Sequence, residues 1–126
     1  IEHFGPEEMR ERIIPQVCNG EAIVAVAMSE PEAGSALTDL NTQAVRKGDE
    51  WVLSGTKRWC SGAGHAYFYV VYCRMSGEKG AKGIGSVLVS KNQIGVSFGE
   101  KKNIWGLGEF LQRTFPLMKW LSSMKM

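Results

Sequence analysis

Hydrophobic and polar positions divide the chain into a short helical opening and a long series of strand patterns. After Gly5-Pro6-Glu7-Glu8, the apolar residues Met9, Ile13, Ile14 and Val17 fall near helical spacing. Proline suits the first helical position, and the two acids sit where the helix dipole favours negative charge. Pro15 predicts that this helix breaks or restarts, and Asn19-Gly20 supplies the stop. From Glu21 the period changes. Ala22 to Met28 is a nearly continuous apolar run of strand length. Thr42 to Arg46 and Trp51 to Ser54 flank Lys47-Gly48-Asp49-Glu50, which carries the turn chemistry of a hairpin. Further strands are expected over Thr56 to Ser61, Ala66 to Arg74, Ile84 to Ser90 and Gly95 to Phe98, with a polar loop from Ser76 to Lys82. Short strands at close spacing with glycine turns imply a mainly β fold, a small antiparallel β-barrel preceded by one short helix.

Composition narrows the function classes. The 126 residues are 44% hydrophobic and 22% charged, which fits one folded domain and excludes wholesale disorder. No apolar run reaches the roughly 18 residues of a membrane helix, and no signal-peptide pattern opens the chain. The first residue is Ile1 rather than Met, so part of a longer protein is expected. Cys18, Cys60 and Cys73 are odd in number and lack C-x-x-C spacing, which argues against a disulfide scaffold or zinc site and for a reducing compartment. With only His3 and His65 present, no metal site is expected.

Charge is uneven. Residues 1 to 50 carry ten acids and four bases, and residues 51 to 126 carry three acids and eleven bases. A solvated surface accounts for this; a basic half could also meet the phosphates of a nucleotide or nucleic acid. Gly62-Ala63-Gly64-His65-Ala66-Tyr67 imitates a dinucleotide-binding fingerprint, but its third glycine is missing and a strand pattern follows where a helix is required. Gly83-Ile84-Gly85 and Gly106-Leu107-Gly108 fail on the same grounds, so no Rossmann domain is expected.

The chemistry is concentrated in two short segments. Ala27-Met28-Ser29-Glu30-Pro31-Glu32-Ala33-Gly34-Ser35 is a strand end running into a Pro/Gly turn with hydroxyls on both sides. Trp59-Cys60-Ser61 is a second strand end with an aromatic and another hydroxyl. Placed side by side, the two make a flat wall with hydrogen-bonding groups at its rim, suited to a planar, heteroatom-edged ligand. In isolation Ser29 reads as a turn residue, Ser61 as a strand-end hydroxyl and Trp59 as a core aromatic.

Together and in order, these segments resemble the acyl-CoA dehydrogenase family, whose middle domain joins an S/T-E-P-x-A-G-S run to a W-x-S/T element. The resemblance extends from Glu7 to about Gly108. It takes in Asn19-Gly20-Glu21, Thr42-Gln43-Ala44, the K-G-D-E-W hairpin, Leu53-Ser54-Gly55-Thr56-Lys57, Val87-Leu88-Val89 and Gly95-Val96-Ser97-Phe98-Gly99. It divides the chain into residues 1–20, the end of an N-terminal helical domain; 21–108, the middle β-barrel; and 109–126, an atypical tail.

The resemblance implies FAD as cofactor and an acyl-CoA thioester as substrate, dehydrogenated between its α and β carbons with hydride transfer to FAD. Val26, Met28 and Ser29 correspond to the strand facing the flavin pyrimidine edge, and Trp59, Cys60 and Ser61 to the element beside the isoalloxazine and its N5. Ser35 matches the serine where cofactor and acyl-CoA meet. Donors fixed at those edges stabilise a reduced flavin. Ser29 and Ser61 stand where threonine is commoner in the family, which keeps the hydroxyl but loses rotamer restriction. Ala36 stands where the family often has Asp.

The family's catalytic base lies in a C-terminal helical domain that this chain does not match, so no residue is assigned as catalytic, and Glu30 and Glu32 are not bases. A catalytically silent fragment is expected. The parent is expected to be a homodimer or homotetramer in the cytoplasm or mitochondrial matrix that passes electrons to a flavoprotein. After Gly108 the family's V-x-V-P strand pattern is missing, which leaves the barrel incomplete at its C-terminal end. A shifted reading frame is one reading of residues 109–126; a short basic helix placing Leu117, Trp120, Leu121 and Met124 on one face is the other. The alternative function is a non-catalytic β-barrel module that binds a nucleotide or single-stranded nucleic acid through Lys57, Arg58 and Trp59.

Overall fold

The structure is a computed structural model and describes residues 1–3, 5–48, 50–99 and 112–118. One helix, α1 (Glu7–Cys18), precedes six strands: β1 (Val24–Ala27), β2 (Gln43–Lys47), β3 (Glu50–Ser61), β4 (Phe68–Arg74), β5 (Ile84–Ser90) and β6 (Gln112–Met118). Short 3-10 turns occupy Leu37–Asp39 and Gly80–Gly83.

Helix α1 does not break at Pro15. The ring removes one backbone donor, but the Glu11 carbonyl it would have served belongs to an exposed residue, where water can take its place. Asn19 N–H bonds the Pro15 carbonyl at 2.9 Å and holds the last turn. Gly20, at φ +75°, then closes the helix in the left-handed conformation. Met9 and Ile13 bury one face of α1 against Leu88, Val24, Phe68 and Val70.

The strands form one mixed open sheet in the order β1-β4-β2-β3-β6, with β5 on the other edge of β4. Hairpin β2–β3 pairs Gln43 with Ser54 through Lys47 with Glu50, and β5 runs antiparallel to β4. Two contacts depart from the expected all-antiparallel pattern: β1 lies parallel to β4, and so does Gln43 of β2. The reason is topological. The β2–β3 hairpin intervenes between β1 and β4, so the chain re-enters the sheet in its original direction. Burial alternates along β4, where Tyr69, Val71 and Cys73 face a core shared with Ala25, Ala27, Ala44 and Leu53.

Three strand expectations change. The two segments Trp51 to Ser54 and Thr56 to Ser61 are one continuous strand, β3, running through Gly55. Gly95 to Phe98 forms no strand; Val96 makes a single bridge, and Phe98 instead tilts against the Tyr69 ring with centroids 5.5 Å apart. In the segment read as an atypical tail, Gln112–Met118 is a strand antiparallel to β3. Leu117 and Met118 are therefore extended rather than helical, while Trp120, Leu121 and Met124 lie outside the described residues.

Gly55 allows β3 to continue. Its φ is +151°, and a Cβ built there would come within 2.7 Å of Thr42 Cα. No side chain fits without moving the start of β2. Gly48, at φ +63° in the hairpin, also has a positive φ, in the less restrictive left-handed helical region, and has nothing within 4 Å of a built Cβ. Gly55→Ala is therefore expected to cost about 2–3 kcal/mol and Gly48→Ala about 1 kcal/mol in urea unfolding. Equal costs would show that close approach to Thr42 is not what requires glycine at position 55.

Candidate functional site

The site is built where the end of β1 meets the second half of β3. Beyond Ala27 the chain leaves the sheet and turns at Glu30-Pro31-Glu32-Ala33, closed by Glu30 N–H to the Ala33 carbonyl at 2.9 Å and Ala33 N–H to the Glu30 carbonyl at 3.3 Å. The Glu30 carboxylate points inward. It accepts from Lys57 Nζ at 2.8 Å, Asn41 N–H at 2.6 Å and Thr42 N–H at 2.9 Å. Lys57 Nζ also donates to the Met28 carbonyl at 3.0 Å. One buried ion pair thus joins the end of β1, the entry to β2 and the middle of β3.

Burial drives both charges toward neutrality. For Glu30 the converging donors outweigh it and hold the carboxyl below its ordinary 4.5. For Lys57 burial prevails over the carboxylate, and the ammonium sits below its ordinary 10.5. A carboxylate so fully occupied is a structural anion. Lys57, expected as a nucleic-acid contact in the alternative reading, is wholly buried and cannot reach a ligand backbone.

Immediately after Lys57 the register against β6 shifts. Lys57 faces Phe115 and Cys60 faces Arg113, so β3 uses one more residue than its partner. This β-bulge reverses the in–out order. Leu53 and Lys57 are buried at odd positions, but after the bulge Cys60 is buried and Trp59 is 43% exposed. Trp59 takes a left-handed backbone at φ +60°, which is strained for a bulky residue. Two cross-links hold the bulge to β1 and the turn that follows it: Arg58 N–H to the Ser29 carbonyl at 2.8 Å, and Cys60 Sγ to the Val26 carbonyl at 3.3 Å. Burial pushes the Cys60 thiol up to about 11, so it remains a neutral donor.

The bonds from Lys57, Arg58 and Cys60 to the Met28, Ser29 and Val26 carbonyls run the E-P strand end alongside the strand that carries the W-C-S element, and join Val26 directly to Cys60. Val26 and Trp59 are exposed apolar surface, Ser61 is exposed, and Met28 and Ser29 are half-buried. Ser35 is exposed on the loop beyond buried Ala33. Cys60 differs from the rest, because the bulge turns its side chain into the core. Gly62-Ala63-Gly64 is a turn, with Gly62 at φ +76° and Gly64 at φ +83°. The buried Tyr69 hydroxyl braces it, accepting from Gly64 N–H at 2.8 Å and donating to the Gly62 carbonyl at 3.3 Å. Among the described residues no group of His, Cys, Asp and Glu could hold a metal ion, and no helix is long and apolar enough to cross a membrane.

These features define a mainly β domain whose E-P turn and bulged strand present an apolar surface rimmed by hydroxyls. Residues 25–115 match the family model described as "Acyl-CoA dehydrogenase, middle domain". The chain belongs to the acyl-CoA dehydrogenase family, as its middle domain. It is 43% identical over 102 residues to the mitochondrial isobutyryl-CoA dehydrogenase of Bos taurus, a match covering 81% of this chain and 24% of that protein. The acyl-CoA dehydrogenase of Geobacillus kaustophilus superposes with a TM-score of 0.86 at 32% identity, over 94% of this chain and 32% of that one. The glutaryl-CoA dehydrogenase of Mycobacterium smegmatis in complex with FADH2 gives 0.86 at 27% identity, over 97% and 31%. The chain spans about a quarter of the length of the curated relative and about a third of the solved ones.

Sequence reasoning missed the Glu30–Lys57 pair and the bulge. A signal for the pair was present: Leu53, Gly55 and Lys57 share one face of an alternating strand, and a lysine on an inward face requires a buried acceptor. Lys57→Met is expected to destabilise the chain by about 3–5 kcal/mol, because Glu30 is left buried and uncompensated. The double variant E30Q/K57M should lose less than Lys57→Met alone. Ionised Glu30 contributes its stability fully above pH 4.5, and that contribution is lost as pH falls through the lower folded value. Urea melts between pH 6 and 3 should therefore show a steeper acid loss for wild type than for Glu30→Gln.

Proposed function

We propose that this chain is the flavin-facing middle domain of an FAD-dependent acyl-CoA dehydrogenase, an enzyme that introduces an α,β double bond into an acyl-CoA thioester. The observation that carries the reading is the bulge at Trp59. A strained backbone turns an indole outward on the strand end whose next residue, Cys60, bonds Val26, an expenditure of stability that the core does not require. An apolar surface with hydroxyls at its margin has the chemistry to receive a planar ring with a heteroatom edge, and so FAD fits the residues present.

Bound FAD supplies the hydride acceptor. The chain's own residues bind and orient. Trp59 and Val26 offer the apolar face and exclude water from it, while Ser29 and Ser61 provide hydroxyl donors at the rim. Met28 and Cys60 contribute backbone and packing, the Cys60 thiol fixing the Val26 carbonyl from within. Ser35, exposed beyond the E-P turn, is assigned to the place where cofactor and acyl-CoA meet. No acid of this chain is assigned as the base that removes the α-proton; in this reading that group belongs to the family's C-terminal helical domain, and the chain alone is catalytically silent. The assembled enzyme is a homodimer or homotetramer, located in the cytoplasm or mitochondrial matrix, that hands its electrons to a flavoprotein. The 43% identity to an isobutyryl-CoA dehydrogenase favours a short acyl thioester as substrate.

FAD titration of the 126-residue chain, followed by flavin fluorescence, tests the reading. Saturable quenching is expected, weakened at least fivefold by Trp59→Ala, with single-stranded oligonucleotide producing no change. Trp59→Gly should weaken flavin binding in the same way, while relief of the left-handed backbone offsets part of the lost packing. A folded chain that leaves flavin emission unchanged, or a Trp59→Ala variant that binds as wild type does, would overturn it.

A further inference from the structure

The bulge carries a second residue to the same surface. Arg58 is half-buried, its backbone is tied to Ser29, and its guanidinium carbon lies 4.4 Å from the centre of the Trp59 ring. No described carboxylate pairs with Arg58, whereas its neighbour Lys57 is held by Glu30. The indole is thus the side-chain partner that the structure gives this cation. An indole has two faces, and a planar cation stacked on one leaves the other for a ligand.

We propose that Arg58 is a positioning residue for the flavin wall. It covers one face of Trp59, so the strained side chain offers a single face to the isoalloxazine, and it places a positive charge, paired with no described carboxylate, beside the ring. This inference rests on the flavin reading above. Two consequences follow from the placement. The indole is held in one orientation before any ligand arrives, which lowers the ordering cost of binding. A fixed positive charge near the cofactor favours the form carrying more negative charge, so reduced FAD gains over oxidised FAD.

The test separates the two consequences. Without flavin, the near-UV circular dichroism of Trp59 is obtained as the difference between each variant and its Trp59→Phe counterpart, with far-UV spectra checking the fold. That signal is expected to fall by more than half in both Arg58→Met and Arg58→Lys, since neither restores the planar stack. With flavin, the ratio of oxidised to reduced dissociation constants is measured. Arg58→Met should lower it about fivefold, equivalent to about 20 mV for a two-electron couple, and Arg58→Lys should keep it within about twofold of wild type. If the Trp59 signal survives in Arg58→Met, the positioning role is overturned whatever flavin does. If the signal falls but Arg58→Met leaves the ratio unchanged, the electrostatic part is overturned. A wild-type chain that holds no FAD would instead sink the functional reading and the electrostatic part with it, and the flavin-free signal would still decide the positioning role.

Discussion

The buried Glu30–Lys57 pair is the contact on which the rest of the site depends. Chains in a sheet are normally registered by ladder hydrogen bonds, but β1 is only four residues long and leaves the sheet at Ala27. What holds the following residues against β3 is Lys57, which bonds both the Met28 carbonyl and the Glu30 carboxylate. The same carboxylate gathers the Asn41 and Thr42 amides and so fixes where β2 begins. A hydrophobic pair of equal volume would pack as well, yet could not satisfy these backbone groups in the interior. The ion pair here is better read as a device of geometry than of stability.

That geometry makes the bulge tolerable. A bulky residue at positive φ persists only where its surroundings over-determine it. Trp59 is flanked by three anchors into β1 and the residues just beyond it: Lys57 to Met28, Arg58 to Ser29, and Cys60 to Val26. Because these bonds fall on either side of the strained residue, relaxing φ at Trp59 would pull at least one of them out of register. The strain is local, and the restraint is shared across two strands. A loop could present the same side chains, but with their positions set by its own fluctuations. A seam between two strands presents them from a fixed frame, as a recognition surface requires.

Much of this was legible from residues alone, and the omissions have physical causes. Period-two alternation and turn residues placed the strands from Ala22 to Ser90, because both are local properties. The E-P turn and the W-C-S element were recognisable as a pair because their order along the chain is characteristic. Long-range facts were not legible. The parallel contact of β1 with β4 depends on which strands meet after the hairpin, and no local pattern encodes it. Gly55 read as a break between two strands, since its close approach to Thr42 involves a segment a dozen residues away. Pro15 read as a helix end because the rule concerns an interior proline whose neighbours need every bond, and here the orphaned carbonyl belongs to an exposed residue. The bulge was hidden for a similar reason. Its position is set by β6, and the expectation for residues 112–118 was a tail rather than a partner strand.

Outside the wall, the surface carries Ile23, Val45, Tyr67 and Ile94 exposed at 59%, 48%, 55% and 81%. Scattered apolar residues are ordinary on any protein surface, but these are large, and two of them border the site elements: Ile23 precedes β1, and Tyr67 follows the glycine turn. The Ile23 carbonyl accepts from Tyr67 N–H at 2.9 Å and Phe68 N–H at 3.2 Å, so the two exposed side chains are mounted on one rigid junction. The chain corresponds to about a quarter of the length of its curated relative. An apolar junction beside the bulged seam is the kind of surface that a neighbouring domain covers, and its rigidity would carry the placement of that neighbour directly to Val26 and Trp59. A contact there and the proposed cofactor contact would then share one frame, because β1 pairs with β4 and is bonded to β3 through Val26 and Cys60.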